Sequence, residues 1–106
     1  MEILAGDIIV SYSDTMKLSR THRRTLGSIF AVPVRPSVVW TDVERMLAAL
    51  GAELSEGSGS RVRVYLNGVR AVFHRPHPRK EMDKGALRSM QRFLKHAGVK
   101  APEDGD

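Results

Sequence analysis

The sequence predicts an α+β fold in which two helices cover one face of a three-stranded antiparallel sheet. Three observations carry that expectation. A capping signal at Thr41 opens a stretch with a core-facing stripe, an Asn67-Gly68 turn joins two arms of alternating apolar and polar residues, and a second amphipathic stripe follows Asp83. At 106 residues the chain has a single-domain length and can bury about 65% of its unfolded surface in one core.

Residues 1–18 show no convincing period and contain an internal Met16, so they read as a flexible leader or a mis-assigned start. From Thr21 to Ala31 the sequence allows a short helix, with Leu26, Ile29 and Phe30 on one stripe and Arg20, Arg23 and Arg24 off it; Gly27 weakens it. Pro33 and Pro36 then favour an extended connector, which completes a segment at 19–36 ahead of the main domain at 37–100. Thr41-Asp42-Val43-Glu44 has the form of a capping box, so a helix is expected over 42–50. Val43, Met46, Leu47 and Leu50 form its buried stripe, and Gly51 supplies the left-handed residue beyond its end.

Ala52 to Glu56 alternates weakly as a first strand, and Gly57-Ser58-Gly59-Ser60 forms a turn or small loop. If Asn67 and Gly68 are the central residues of a type I′ turn, the register of strands 61–66 and 69–74 follows. Leu66 faces Val69, Val64 faces Ala71 and Val62 faces Phe73 on a wholly apolar side; Tyr65 faces Arg70, Arg63 faces Val72 and Arg61 faces His74 on the other. A slip of one residue would scramble both faces. Arg75 to Lys80 contains two prolines and should leave the sheet as an extended loop. Asp83 can cap the last helix, where Leu87, Met90, Leu94 and Ala97 oppose Lys84, Arg88, Arg92 and Lys95 before Gly98. The whole is a double-stranded-RNA-binding-domain-like α-β-β-β-α layout with an extra N-terminal helix and an acidic tail at 101–106.

The absence of cysteine excludes a disulfide framework, a thiolate nucleophile and cysteine-bound zinc, and fits a reducing cytoplasm. No signal peptide is legible, because Glu2 and Asp7 stand where cations are needed. No segment approaches the ~20 apolar residues of a membrane span, so a soluble cytoplasmic protein without membrane contact is expected. The net charge of +5 is unevenly spread. Residues 1–56 hold six Lys/Arg against seven Asp/Glu, residues 57–100 hold eleven against two, and residues 101–106 hold three acids and no base. Between Gly57 and Lys80 there are six basic residues and no acid, gathered onto one hairpin. Such clustering points to an anionic partner, with nucleic acid the leading candidate over a merely solubilising surface.

His74 ends the second hairpin strand on the polar side. A neutral imidazole there could take the proton of an RNA 2′-hydroxyl and later return one to the leaving group; otherwise it is an edge histidine that completes a strand. His77, stiffened between two prolines, could be aimed at a phosphate or be a polar loop residue. Arg61, Arg63 and Arg70 are placed to hold phosphate oxygens, with Arg79 and Lys80 beyond them, and Tyr65 could stack on a base. His22 and His96 have no partner pattern. His74 and His77 lack two further ligands for zinc, and Gly57-Ser58-Gly59 lacks the context of a phosphate loop. Neither a metal nor a cofactor is expected.

The run from His77 to Ser89, followed by Ala97-Gly98-Val99, resembles the HicA toxins of bacterial toxin-antitoxin pairs, whose corresponding run is His-Pro-Gly-Lys-Glu-Leu, then Lys-Gly-Thr-Leu-Arg and a terminal Ala-Gly-Leu. Leu50-Gly51-Ala52 and Gly59-Ser60 extend the likeness over about residues 40–99. It implies a metal-independent endoribonuclease acting on messenger RNA and neutralised by a HicB-like antitoxin. The family's catalytic histidine directly follows that Gly-Ser, where this chain carries Arg61, and arginine stays protonated and is a poor base. The facing position holds His74, from which an imidazole could reach the same surface. Two other readings stand beside this one: a non-catalytic RNA-binding domain, and a basic docking module for an acidic protein such as an antitoxin.

Overall fold

An alternating hairpin and three amphipathic stripes have one economical solution, with the stripes collected on a single side of the sheet. The computed structural model, which describes residues 17–35 and 37–102, has that arrangement. Its elements are α1 (Arg20–Ile29), α2 (Trp40–Ala49), β1 (Glu53–Glu56), β2 (Arg61–Leu66), β3 (Val69–His74) and α3 (Lys84–His96). The sheet is antiparallel in the order β1-β2-β3. α2 packs against β1, α3 packs against β3, and α1 lies against both of these helices. The acidic tail beyond residue 102 and most of the 1–18 segment fall outside the described residues, although Leu18 is buried with the core.

The hairpin has the register expected from the sequence at all six pairs, from Leu66 opposite Val69 to Arg61 opposite His74. Its turn requires positive φ at both central positions, and Asn67 (50°) and Gly68 (83°) supply it. The Asn67 side chain also donates to the Ala97 carbonyl at 2.8 Å, which fastens the hairpin tip to the end of α3. Val62, Val64, Leu66 and Phe73 are buried beneath the helices with Leu26, Ile29, Val43, Met46, Leu47, Leu87, Met90 and Leu94. Phe73 sits between two rings, with centroids 6.0 Å from Trp40 and 5.9 Å from Phe93 in an edge-on contact.

Two helix boundaries differ from the sequence expectation. α1 covers Arg20–Ile29 rather than 21–31 and is capped by Ser19, whose hydroxyl accepts from the His22 amide. α2 begins at Trp40, two residues before the predicted start, so Thr41 lies inside the helix and the capping box does not form; Val39 is the cap residue and makes no side-chain cap bond. The cause is a clasp between distant segments. Val39 bridges Glu81, the Trp40 amide donates to the Lys80 carbonyl at 3.0 Å, and the Met82 amide donates to the Val38 carbonyl at 2.8 Å. The facing backbone segment, rather than a side chain, satisfies an amide at the helix start. α3 starts as expected, with the Asp83 carboxylate accepting from the Ala86 amide at 2.7 Å.

Candidate functional site

Because period-two alternation sends every second side chain of the sheet away from the helices, the outer face is assembled from Glu53 and Ser55 on β1, Arg61, Arg63 and Tyr65 on β2, and Arg70, Val72 and His74 on β3. All eight are exposed. Val72 keeps 55% of its surface and Tyr65 38%, so apolar and aromatic area is open to solvent in the middle of the cationic group. The Arg70 guanidinium lies 5.0 Å from the centre of the Tyr65 ring, a cation–π contact that leaves the arginine's in-plane donors available. Arg63 donates from Nη1 to the Glu56 carbonyl at 2.9 Å, which fixes its stem along β1.

At the base of the hairpin, Arg61 and His74 stand opposite each other and line one depression with Gly57, Ser58, Arg63 and Val72. Gly57 is required there because a Cβ at that position would come 2.9 Å from the Arg61 Cβ. His74 also lines a second depression, shared with His77 and Arg79 and floored by the start of α3 at Asp83 and Ala86. The two predicted histidines thus border the same hollow. Lys80 is exposed, but its contribution to the structure is its carbonyl in the clasp, and it is not part of the lining of that hollow.

No sequence signal marks the role of Arg75. Its guanidinium holds Glu56 through two hydrogen bonds, at 3.1 and 2.7 Å, and lies 3.5 Å from Glu44 on α2. Those hydrogen bonds, with the guanidinium charge, hold the Glu56 carboxyl below its ordinary range, and the hydrogen bond to Glu56 raises the arginine in turn. Arg75 therefore ties the end of β1 to α2 immediately beside His74 and is a structural cation, unlike its neighbours on the sheet. Its amide donates to the Ser60 carbonyl at 2.9 Å, bracing the Arg61–His74 end of the hairpin. Among the described residues no three His, Cys, Asp or Glu side chains gather in a metal-binding group, and no helix is long and apolar enough to cross a membrane.

Comparison with known proteins places the geometry in context. No curated protein and no solved structure matches the chain. A family model does, that of the HicA toxin of bacterial toxin-antitoxin pairs, over residues 40–99, which run from the first residue of α2 to just beyond α3. That match takes in the complete sheet, both helices that cover it and the two histidine-lined depressions, and the α-β-β-β-α order inside it is the one observed. The chain therefore belongs to the HicA toxin family, the toxin side of bacterial toxin-antitoxin pairs.

Proposed function

We propose that this protein binds messenger RNA in the bacterial cytoplasm and cleaves it with His74 as general base, and that a HicB-like antitoxin neutralises it. The observation that carries the reading is the cross-strand pair of Arg61 and His74 on an open cationic face, with His77 bordering the hollow that His74 also lines. RNA brings its own nucleophile, so the step needs no bound metal to generate one. His74 takes the proton of a 2′-hydroxyl, that oxygen bonds to the adjacent phosphorus, and the bond from phosphorus to the 5′-oxygen breaks. His77 gives the departing oxygen its proton. Arg61, at the position where the family resemblance sets a histidine, keeps its charge and stabilises the phosphorane together with Arg63. Arg70, Arg79 and Lys80 hold neighbouring phosphates, and Tyr65 offers a ring to an unpaired base.

Incubation of the purified protein with a single-stranded transcript in EDTA tests this directly. The expected products carry 2′,3′-cyclic phosphate ends, and His74→Ala yields none while still binding. Arg61 also favours a second reading, a domain that binds RNA without cutting it; a salt-sensitive mobility shift with intact RNA would establish that instead. Antitoxin docking on the same face predicts that Arg63→Glu with Arg70→Glu releases the copurifying protein encoded beside the toxin. Growth arrest on expression, relieved by the adjacent reading frame, tests the toxin-antitoxin pairing in cells.

A further inference from the structure

Glu53 is the only acid on the outer face of the sheet, as read from the register of the described strands. It is exposed and has no ion pair or side-chain hydrogen bond, even though two arginines line the same hollow. Neither reaches its carboxylate: Arg63 donates to the Glu56 carbonyl and Arg70 lies over the Tyr65 ring. An unneutralised carboxylate on a face of this sign repels phosphate, so its presence needs a compensating set of donors. Its immediate neighbour indicates which. Glu53 is the direct partner of Tyr65 across β1 and β2, with Cβ atoms about 5 Å apart, and Tyr65 is flanked on its other side by Arg70.

We propose that this hollow, bounded by Glu53, Ser55, Arg63, Tyr65, Arg70 and Val72, is a nucleobase subsite that selects an unpaired guanine. The base stacks on Tyr65, and the two Glu53 carboxylate oxygens accept from its N1–H and N2–H groups. Guanine alone among the four RNA bases presents two adjacent donors on its pairing edge, the match for a carboxylate fork. Adenine and cytosine each put a ring acceptor beside their amino group, and uracil sets its N3–H between two carbonyl oxygens, so each brings a lone pair against the carboxylate. The stacking ring tolerates any base, while Glu53 discriminates among them. Arg63 and Arg70 at the margin remain in reach of the flanking phosphates.

The inference rests on the RNA-binding reading above, and the test separates the two. The probes are fluorescein-labelled 2′-O-methyl hexanucleotides, which cannot be cleaved through a 2′-hydroxyl: one of uridine only and three with a single central guanosine, adenosine or inosine. Fluorescence anisotropy should show guanosine bound about tenfold more tightly than uridine or adenosine, with inosine, which lacks the N2 amino group, in between. Glu53→Gln should abolish the preference and bind the uridine-only probe at least as tightly as the unaltered protein, whereas Tyr65→Leu should weaken all four by about tenfold. Equal affinity for the four probes, or a preference that survives Glu53→Gln, overturns the guanine subsite while leaving RNA binding in place. Failure of all probes to bind at low salt overturns both.

Discussion

Moving the imidazole across the ladder gives the sharpest test of the catalytic reading. His74→Ala removes the proposed base, and loss of general base catalysis lowers a rate by about 10²–10⁴-fold, some 3–5 kcal/mol of barrier. Arg61→His combined with His74→Ala then places an imidazole on the facing residue of β2, about 5 Å away between Cβ atoms. Cleavage should rise at least about tenfold above that of His74→Ala alone, short of the unaltered protein because the Arg61 charge on the phosphorane is lost. The fold should tolerate the exchange, because both side chains are exposed and neither enters a side-chain hydrogen bond or ion pair. The tight approach at Gly57 involves the Arg61 Cβ, which histidine shares. Stability of either variant should stay within about 0.5 kcal/mol of the original. The assay is appearance of cyclic-phosphate ends on a labelled transcript, with urea unfolding and RNA binding followed in parallel. Undiminished cleavage by His74→Ala refutes His74 as the base. A folded, RNA-binding double variant that remains inactive refutes the idea that the two positions serve one point on the substrate.

Four other outcomes are expected. Phe73→Ala, which empties a site between Trp40 and Phe93, should lower unfolding free energy by about 3–5 kcal/mol, read from urea denaturation. Gly68→Ala meets no atom within 4 Å but forces alanine to φ near +83°, and should destabilise by about 1–2 kcal/mol through backbone strain alone, seen as a lower thermal midpoint. The depressed Glu56 carboxyl stabilises the fold above its unfolded pKa, close to the ordinary 4.5, and that contribution disappears as pH falls through the still lower folded value. Glu56→Gln should therefore be less stable than the unaltered protein at neutral pH and equally stable once the pH lies below the folded value, by chemical denaturation under both conditions. Arg63→Ala should reduce the slope of log affinity against log salt for single-stranded RNA by about 0.7, the signature of one lost phosphate contact.

The hairpin was legible in the sequence because every signal in it is local. Asn67-Gly68 demands one turn type, the turn sets the register, and the alternation from Val62 to Phe73 agrees with that register on both faces. The core-facing residues of α3 and its Asp83 cap were legible for the same reason. What was hidden depends on segments far apart in the chain. Thr41 offers a sound capping box, yet α2 starts earlier because Lys80 and Met82 return to pair with Val38 and Trp40. Arg75 is one basic residue among six until the fold brings Glu56 and Glu44 around it. Glu53 reads as an ordinary strand residue, and its solitary place on a cationic face emerges only when β1 is laid beside β2.

The clasp between residues 38–40 and 80–82 has a consequence for how the molecule comes apart. Backbone hydrogen bonds lace the two ends of that intervening stretch together, and α2 and the entire sheet lie within the closed loop. α1 lies outside it on one side and α3 on the other. Fraying that begins at either terminus therefore reaches the clasp before it reaches a strand. In native-state hydrogen exchange the amides of Trp40 and Met82 should mark this boundary, protected together and lost together, with the hairpin opening only in the same or a rarer event.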